Sequence, residues 1–506
     1  MKLFHKTKFE VHIGRLGWMI LFFAGALFLT SCAVGPKYKT PAMPPPPAYK
    51  EIGNWKTAEP SDEKLGENWW EIFQDPQLND LEQQITVSNQ NLKAAVAQYQ
   101  QARAALRYVR ADYYPTVTAA PSATRQRYSD NRPPQSSAFD GLTFNDFVVP
   151  LSLSYQTNAW GRVSRNIESY REQAQASAAD LAVINLSIHA SLAVDYFAAR
   201  ALDAEEKLLR DTVVQYEQAY QLNEDRYQGG LASEVEVEQA RTILETTRAQ
   251  MIDVGVARAQ YEHAVAVLVG KAPADFTLPP LPLSTPPPPI PVGIPSELLE
   301  RRPDIAAAER RVASANAQIG LAKTAYYPLV NILGSGGFES GSITTLLQGP
   351  SALWSVGASA AVTIFDVGRR RALNDQAKSA YDSTVASYRQ TVLTDFQQVE
   401  DNLAALRILE QEAQVQATAV QASQRSLDLS NTRYEGGVTS YLEVITAQNA
   451  ALSDEVTAVN ILGRRMASAV LLIEALGGGW DRSNLPERPE CCGKLVSDNA
   501  SPKPVK

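Results

Sequence analysis

Few side chains in this 506-residue sequence are of a type and spacing that could carry covalent chemistry, and the clearest of them is Cys32. It closes the run Leu29-Thr30-Ser31-Cys32, after a start bearing Lys2, Lys6, Lys8 and Arg15 and an apolar stretch from Leu16 to Leu29. A basic start, a short apolar middle and small residues describe a secretory leader, residues 1–31. Its apolar stretch of about fourteen residues falls short of the roughly twenty that a spanning helix needs, so it is an export address and not an anchor. The four residues ending at Cys32 resemble the site at which a bacterial lipoprotein leader is trimmed, leaving the cysteine as an acylated N-terminus. The bland alternative is an ordinary leader with a coincidental cysteine. In the lipid reading the thiol is consumed, and two or three acyl chains hold a membrane far better than one.

The remaining reactive types are scattered. Cys491 and Cys492 are adjacent in a polar C-terminal tail and cannot staple distant parts of a fold. His5, His12, His189 and His263 lie far apart, two of them in the leader, so no metal cage is expected. No phosphate-cradling loop, nucleophile elbow or histidine–carboxylate motif is present, and no catalytic residue or cofactor is expected beyond the covalent lipid. The Gly477–Gly479 run follows a helical pattern and precedes Trp480, which suits a chain terminator. Loss of the leader leaves 43 basic against 54 acidic side chains, a net charge of −11. Nucleic acid is therefore not an expected partner.

The elements that position these residues come in two copies. Arg226-Tyr227-Gln228-Gly229-Gly230-Leu231 recurs as Arg433-Tyr434-Glu435-Gly436-Gly437-Val438, an offset of 207 residues. The same offset links Ser233 to Ser440, Glu236 to Glu443, Val237 to Val444, Ala240 to Ala447, and Gly161-Arg162 to Gly368-Arg369. Upstream, Tyr113-Tyr114-Pro115 answers Tyr326-Tyr327-Pro328 at 213, so the first copy holds six extra residues, most simply in the polar loop from Ser129 to Gly141. Between the copies, Pro279 to Pro295 includes four consecutive prolines from Pro286, which predicts an extended, semi-rigid tether. The divisions are a leader at 1–31, an extended segment at 32–76, a first repeat at 77–271, a linker at 272–303, a second repeat at 304–480 and a tail at 481–506.

Each copy reads as helix, two strands, helix, tight turn, helix. Residues 116–127 and 144–155 in the first copy, and 329–338 and 353–365 in the second, form candidate hairpins. In the last of these, Trp354, Val356, Ala358, Ala360, Val362 and Ile364 share one face, opposite small and polar residues, as a strand between lipid and water would have them. Half of a soluble sandwich would alternate in the same way, but four strands per chain are too few for one. They are also too few to close a membrane barrel, and open edges in lipid leave backbone groups unpaired at several kcal/mol each. Several chains must share one barrel.

Val163 to Tyr227 and Arg369 to Tyr434 contain no proline and hardly any glycine, which predicts helices of about 95 to 100 Å at 1.5 Å per residue. In the second, Val385, Tyr388, Val392, Phe396, Val399, Leu403 and Leu406 step by threes and fours like a coiled-coil seam. Shorter helices are expected at about Gln77–Asp112, Glu234–Val269, Asp304–Tyr326 and Tyr441–Leu476. His189 falls opposite Phe396 at the repeat offset, which places it in a packed seam. At Gly229-Gly230 and Gly436-Gly437 the helical pattern stops and at once resumes. Glycine ends a helix in the left-handed conformation and Ser233 or Ser440 is placed to cap the next. Each pair is a hairpin tip, read either as a mere connector or, because it recurs in register on a long coil, as a docking surface.

These landmarks together resemble the outer membrane factors, the TolC-like channels of tripartite efflux pumps, in their lipoprotein branch of the NodT type. The matching residues run from Cys32-Ala33-Val34-Gly35-Pro36-Lys37-Tyr38 and Pro41 through Trp69-Trp70, Phe73, Asp75-Pro76 and Leu78. They continue to Arg301-Arg302-Pro303-Asp304-Ile305, Ala308-Glu309 and Ala475-Leu476-Gly477-Gly478-Gly479-Trp480. The resemblance implies a mainly α protein with membrane β-strands, a homotrimer forming a twelve-strand β-barrel plus a periplasmic α-helical barrel. It implies an outer-membrane location with a lipid on Cys32. It also implies a periplasmic adaptor meeting the tips at Gly229, Gly230, Leu231, Gly436, Gly437 and Val438, and an inner-membrane transporter of the RND, ABC or MFS type. In the family, carboxylates near the tip narrow the closed mouth. Glu443 matches one such place, while Thr446 stands where an aspartate is common, so the acidic ring is weaker or shared with Glu236. Tyr155-Gln156-Thr157-Asn158-Ala159-Trp160-Gly161 also departs from the family, which commonly has acidic residues there. The competing reading is a lipid-anchored periplasmic coiled-coil adaptor or scaffold, against which the paired β-hairpins count.

Overall fold

The computed structural model describes residues 33–52, 66, 68–131, 141–291 and 295–486. The leader with Cys32, residues 132–140 of the polar loop, and the tail carrying Cys491 and Cys492 lie outside the described residues. The helices are α1 (Pro76–Ser88), α2 (Gln90–Arg110), α3 (Arg162–Gln228), α4 (Glu234–Leu268), α5 (Pro295–Arg301), α6 (Pro303–Thr324), α7 (Arg369–Glu435) and α8 (Tyr441–Ala475). The strands are β1 (Thr116–Ala119), β2 (Ser122–Arg127), β3 (Thr143–Gln156), β4 (Leu329–Ser340) and β5 (Ala352–Ala361). Contacts divide the chain into two compact units, one built on Gln100–Ala174 and Glu309–Ala386 and the other on Ala42–Tyr99, Gln175–Ala308 and the chain from Ser387 onward.

The first unit holds the whole sheet, which is antiparallel throughout. β3 pairs with both β1 and β2 on one side and with β4 on the other, and β4 pairs with β5. The expected first strand is therefore interrupted, because Pro121 has no amide to give to the ladder. A second proline, Pro150, sits inside β3 opposite Gly337. There a Cβ on Gly337 would lie 2.1 Å from the Val149 carbonyl oxygen, so only glycine admits the close backbone. β5 stops at Ala361 and not at Phe365 as the alternation suggested. Its neighbour β4 starts at Leu329, which pairs with Ala361, and the preceding Pro328 cannot extend the ladder. Val362, Ile364 and Phe365 are thus exposed beyond the sheet. Trp354 and Val356, on the expected apolar face, are 81% and 77% exposed.

Below the strand ends, the same unit binds the N-terminal peptide. Val34 donates its amide to the Trp160 carbonyl, and its own carbonyl accepts from Arg165 Nε at 3.1 Å. Gly35 approaches Gly320 so closely that a Cβ on Gly35 would lie 2.5 Å from the Gly320 Cα. The Tyr38 hydroxyl donates to Glu309 Oε1 at 2.5 Å, and Glu309 holds Arg310, which also reaches Glu172 at 2.8 Å. Residues 33–40 are thus laid along helices and are not loose, as "extended segment" alone would allow.

The second unit has a core of Leu78, Ile85, Leu192, Tyr196, Phe197, Val265, Leu403, Leu472 and Ile473, with Trp69 and Trp70 against it. Tyr388, Val392, Val399, Leu403 and Leu406 of the seam are buried on α7. The helix expected from Gln77 to Asp112 breaks at Asn89, whose side chain accepts from the Leu92 amide at 2.9 Å and donates to the Leu268 carbonyl at 2.7 Å. The second copy breaks at the equivalent place, Arg302, and this adds α5 inside what was read as a linker. That semi-rigid linker is packed against the unit it crosses. Leu278 and Ile290 are buried in the core, and Arg200 grips the Pro279 carbonyl at 2.6 Å. Gly270 and Gly477, again 207 apart, take positive φ beside the carbonyls of Ser88 and Arg301, where a Cβ would collide.

Candidate functional site

Both hairpin tips close with the same hydrogen bonds. Gly230 and Gly437 have φ of 72° and 70°, and the next amides, of Leu231 and Val438, reach back to the carbonyls of Arg226 and Arg433 at 2.7 and 2.9 Å. This is the left-handed glycine ending of a helix, in which the orphan carbonyls of the last turn are satisfied. No atom lies within 4 Å of the Cβ position of either Gly230 or Gly437, so conformation and not crowding requires glycine there. Leu231 and Val438 are 76% and 70% exposed, one apolar side chain offered at each tip.

The next helices start differently. Ser233 caps α4, accepting from the Glu236 amide, while the Glu236 carboxylate takes the Ser233 amide at 3.1 Å. Glu236 is thus already committed to a reciprocal cap. Ser440 stands at the cap position of α8 without a side-chain capping bond, contrary to its expected role. Glu443 lies in the first turn of α8 and is exposed. Thr446, also exposed, turns its hydroxyl back to the Leu442 carbonyl at 2.9 Å.

A lock between the two hairpins was not legible in the motif. The Tyr434 hydroxyl donates to Asn223 Oδ1 at 2.5 Å, its ring lies 5.2 Å from that of Tyr441, and the Arg226 guanidinium sits 4.7 Å above it. Tyr434 is buried, whereas its copy Tyr227 is exposed. Burial pushes the Tyr441 hydroxyl up to about 12 and raises that of Tyr434 as well, so both stay neutral at physiological pH. The Arg-Tyr repeat was the available signal, but it does not say which copy turns inward. Alongside, a groove of about 1130 Å³ runs between α4 and α8, with Leu442 and Ile445 in its wall. Glu205, Glu234, Glu238 and Asp253 line it, and no lysine or arginine does.

His189 occupies a packed position, as its repeat partner suggested, but with more to do than fill space. Its Nδ1 meets Glu82 Oε2 at 2.5 Å and its ring stacks on Trp70 at 4.5 Å. Arg302 bonds Asp395 at 2.6 Å, pairs with Asp304, and donates to the carbonyls of Glu474 and Ala475. The Arg-Pro-Asp motif is therefore a junction of three helices. Among the described residues no cluster of three or more His, Cys, Asp or Glu is placed to hold a metal ion.

An open-edged sheet with an exposed apolar row, joined in one chain to paired helical hairpins, fits the class of multi-chain membrane channels. The family model described as "Outer membrane efflux protein" matches residues 81–271 and 294–478. The toluene efflux pump outer membrane protein TtgC of Pseudomonas putida is 32% identical over 459 residues, covering 90% of this chain and 94% of its own. The cation efflux system protein CusC of Escherichia coli O6:H1 is 28% identical, covering 92% and 99%. The solved outer-membrane channel OprN superposes with a TM-score of 0.83 at 29% identity, over 89% of this chain and all of its own. The chain belongs to the outer membrane efflux protein family, and it is an outer-membrane efflux channel. The adaptor or scaffold reading is set aside, since channel relatives match across both repeats.

Proposed function

We propose that three copies close one twelve-strand barrel and act as a passive trans-periplasmic conduit, fed by an inner-membrane transporter through a periplasmic adaptor that meets the hairpin tips. The observation that carries this is the sheet itself. β1 with β2 at one side and β5 at the other have no further strand partner among the described residues, while Trp354 and Val356 are exposed. In lipid such edges must be paired, and four ladder positions per chain give twelve in three. On the same reading Cys32 carries the lipid that tethers each copy to the membrane.

Leu231 and Val438 supply the apolar contacts of the docking surface, on turns set by Gly229, Gly230, Gly436 and Gly437. Glu443 narrows and charges the mouth, with Glu236 and Thr446 contributing less because each is tied to its own helix. Gathered carboxylates repel one another and favour cations. Relatives named for toluene and for cation efflux share comparable similarity to this chain, which suits a wide duct whose cargo is chosen by an RND, ABC or MFS partner. The test is conductance of the purified protein in planar bilayers. Discrete trimer-sized steps are expected, and a protein that stays silent and water-soluble after delipidation would overturn the proposal. Dyes or drugs retained by a deletion strain then identify the cargo.

A further inference from the structure

One row of strand ends is far more basic than the rest of the sheet. Thr116 lies opposite Ser154, Gln156 opposite Asn331 and Leu329 opposite Ala361. The start of β1, the end of β3, the start of β4 and the end of β5 therefore share one edge. Every α-helix that meets this edge brings a cation, against two acids there, Asp112 between α2 and β1 and Asp366 before α7. α2 arrives with Arg107 and Arg110, α6 with Lys323, α3 leaves with Arg162, and α7 leaves with Arg369, Arg370 and Arg371. Arg370 is used locally, on Asp366 at 2.7 Å. The other six have no acidic partner among the described residues. At the opposite strand ends Arg125 and Arg127 are offset by Asp130, Asp146 and Glu339.

The placement also runs against local preference. α3 and α7 carry arginine at the end where the helix dipole is positive, with no acid in either first turn. The helix amides are not what calls for an anion. Asn158 takes those of Val163 and Ser164, and Asp366 takes those of Gly368 and Arg370. What is left over is side-chain charge. A departure from local rules without a compensating partner in the chain marks a place where something outside it completes the structure. Tyr108, Tyr114, Trp160, Tyr326 and Tyr327 are exposed beside the same edge, and such aromatic rows sit where hydrocarbon gives way to headgroups.

We infer that this edge is a phosphate-binding collar, in which the arginines hold the anionic headgroups of glycerophospholipids in the adjoining leaflet and fix the depth at which the sheet sits. Guanidinium groups suit this task because they meet phosphate oxygens two at a time. The inference rests on the channel reading above, since it needs the sheet to be in lipid.

The experiment uses the full-length protein reconstituted into phosphatidylcholine vesicles with or without phosphatidylglycerol, alongside Arg107→Gln/Arg110→Gln and Arg369→Gln/Arg371→Gln. Retained lipid is read by native mass spectrometry, and the unfolding midpoint by heating. The wild type is expected to retain phosphatidylglycerol in preference, with each neutralised arginine weakening that preference about five-fold and added salt eroding it. Conductance in phosphatidylcholine should be unchanged. Equal retention of both lipids, a preference that survives in the variants, or protection reproduced by inorganic phosphate alone would overturn the collar. A protein that conducts normally without lipid preference sinks the collar only, whereas one that conducts in neither lipid sinks the channel reading itself.

Discussion

Asn89 and Arg302 stand 213 residues apart at the same place in the two repeats, and each closes the same joint with a different side chain. Asn89 Nδ2 donates to the Leu268 carbonyl at 2.7 Å and Arg302 Nη1 to the Ala475 carbonyl at 3.3 Å, the acceptors being 207 apart. In both, a break between two short helices receives the end of the returning helix, and a positive-φ glycine permits the approach. The arginine adds Asp304, Asp395 and Gln398 to its contacts, so the second joint is ionic where the first is neutral.

Arg302→Ala should therefore cost much more than Asn89→Ala. Removing one partner of a buried ion pair leaves an uncompensated charge, about 3 to 5 kcal/mol, against about 1 to 3 kcal/mol for an unsatisfied neutral group. Denaturant unfolding of the two variants measures the difference. Equal losses would mean that Asp395 is relieved some other way.

Gly437→Pro should abolish efflux while leaving the protein in the outer membrane. Proline cannot take a φ of 70°, and it deletes the amide that bonds the Tyr434 carbonyl at 3.0 Å. Membrane fractionation and a drug-susceptibility assay separate the two effects. A variant missing from the membrane would show the turn to matter for folding and not for docking.

Asn223→Leu should loosen the inter-hairpin lock and raise leak conductance, since the buried Tyr434 hydroxyl then has no acceptor, at about 1 to 3 kcal/mol. Adding Tyr434→Phe should recover stability without recovering closure. Glu443→Ala and Glu443→Lys should change cation preference in the same recordings, and unaltered selectivity would remove Glu443 from the mouth.

The Glu82–His189 pair sets a pH window for stability. Burial raises the Glu82 carboxyl well above its usual range and lowers His189 to about 4. The folded pair thus keeps one proton, on Glu82, donated to His189. Between about pH 4.5 and 6.5 the unfolded chain also holds one, on the histidine, so the pair contributes no slope. Below that window the unfolded chain binds a second proton, and above it the unfolded chain loses its only one. Stability then falls on both sides, by about 1.4 kcal/mol per pH unit at most. Glu82→Gln, whose amide can still donate to Nδ1, should remove the alkaline decline and move the onset of the acid one up from about pH 4.5 to about 6.5, where the unfolded histidine begins to take a proton that the folded one refuses. A melting series across pH tests this, and an unchanged alkaline limb would show that the proton resides elsewhere.

Much of this architecture is local in origin and so could be read from the chain. The Arg-Tyr-x-Gly-Gly repeats end helices by backbone conformation, and the ends of α3 and α7 follow from them to within a residue. The break at Asn89 could not be read that way, because what makes it worthwhile is a carbonyl 179 residues away. The same holds for α5, for the packed course of Pro279 to Ile290, and for the choice of Tyr434 over Tyr227 as the buried tyrosine. At the tips, Glu236 and Glu443 look alike in sequence. Only the cap between Ser233 and Glu236 separates them.

The unpaired margins of the sheet have a genetic corollary. If each copy borrows both neighbours to complete its wall, a polypeptide with one spoiled margin ruins every ring it enters. A proline placed within β5 should accordingly behave as a dominant allele, silencing export in cells that also make the intact chain, whereas a leader that is never exported should be recessive.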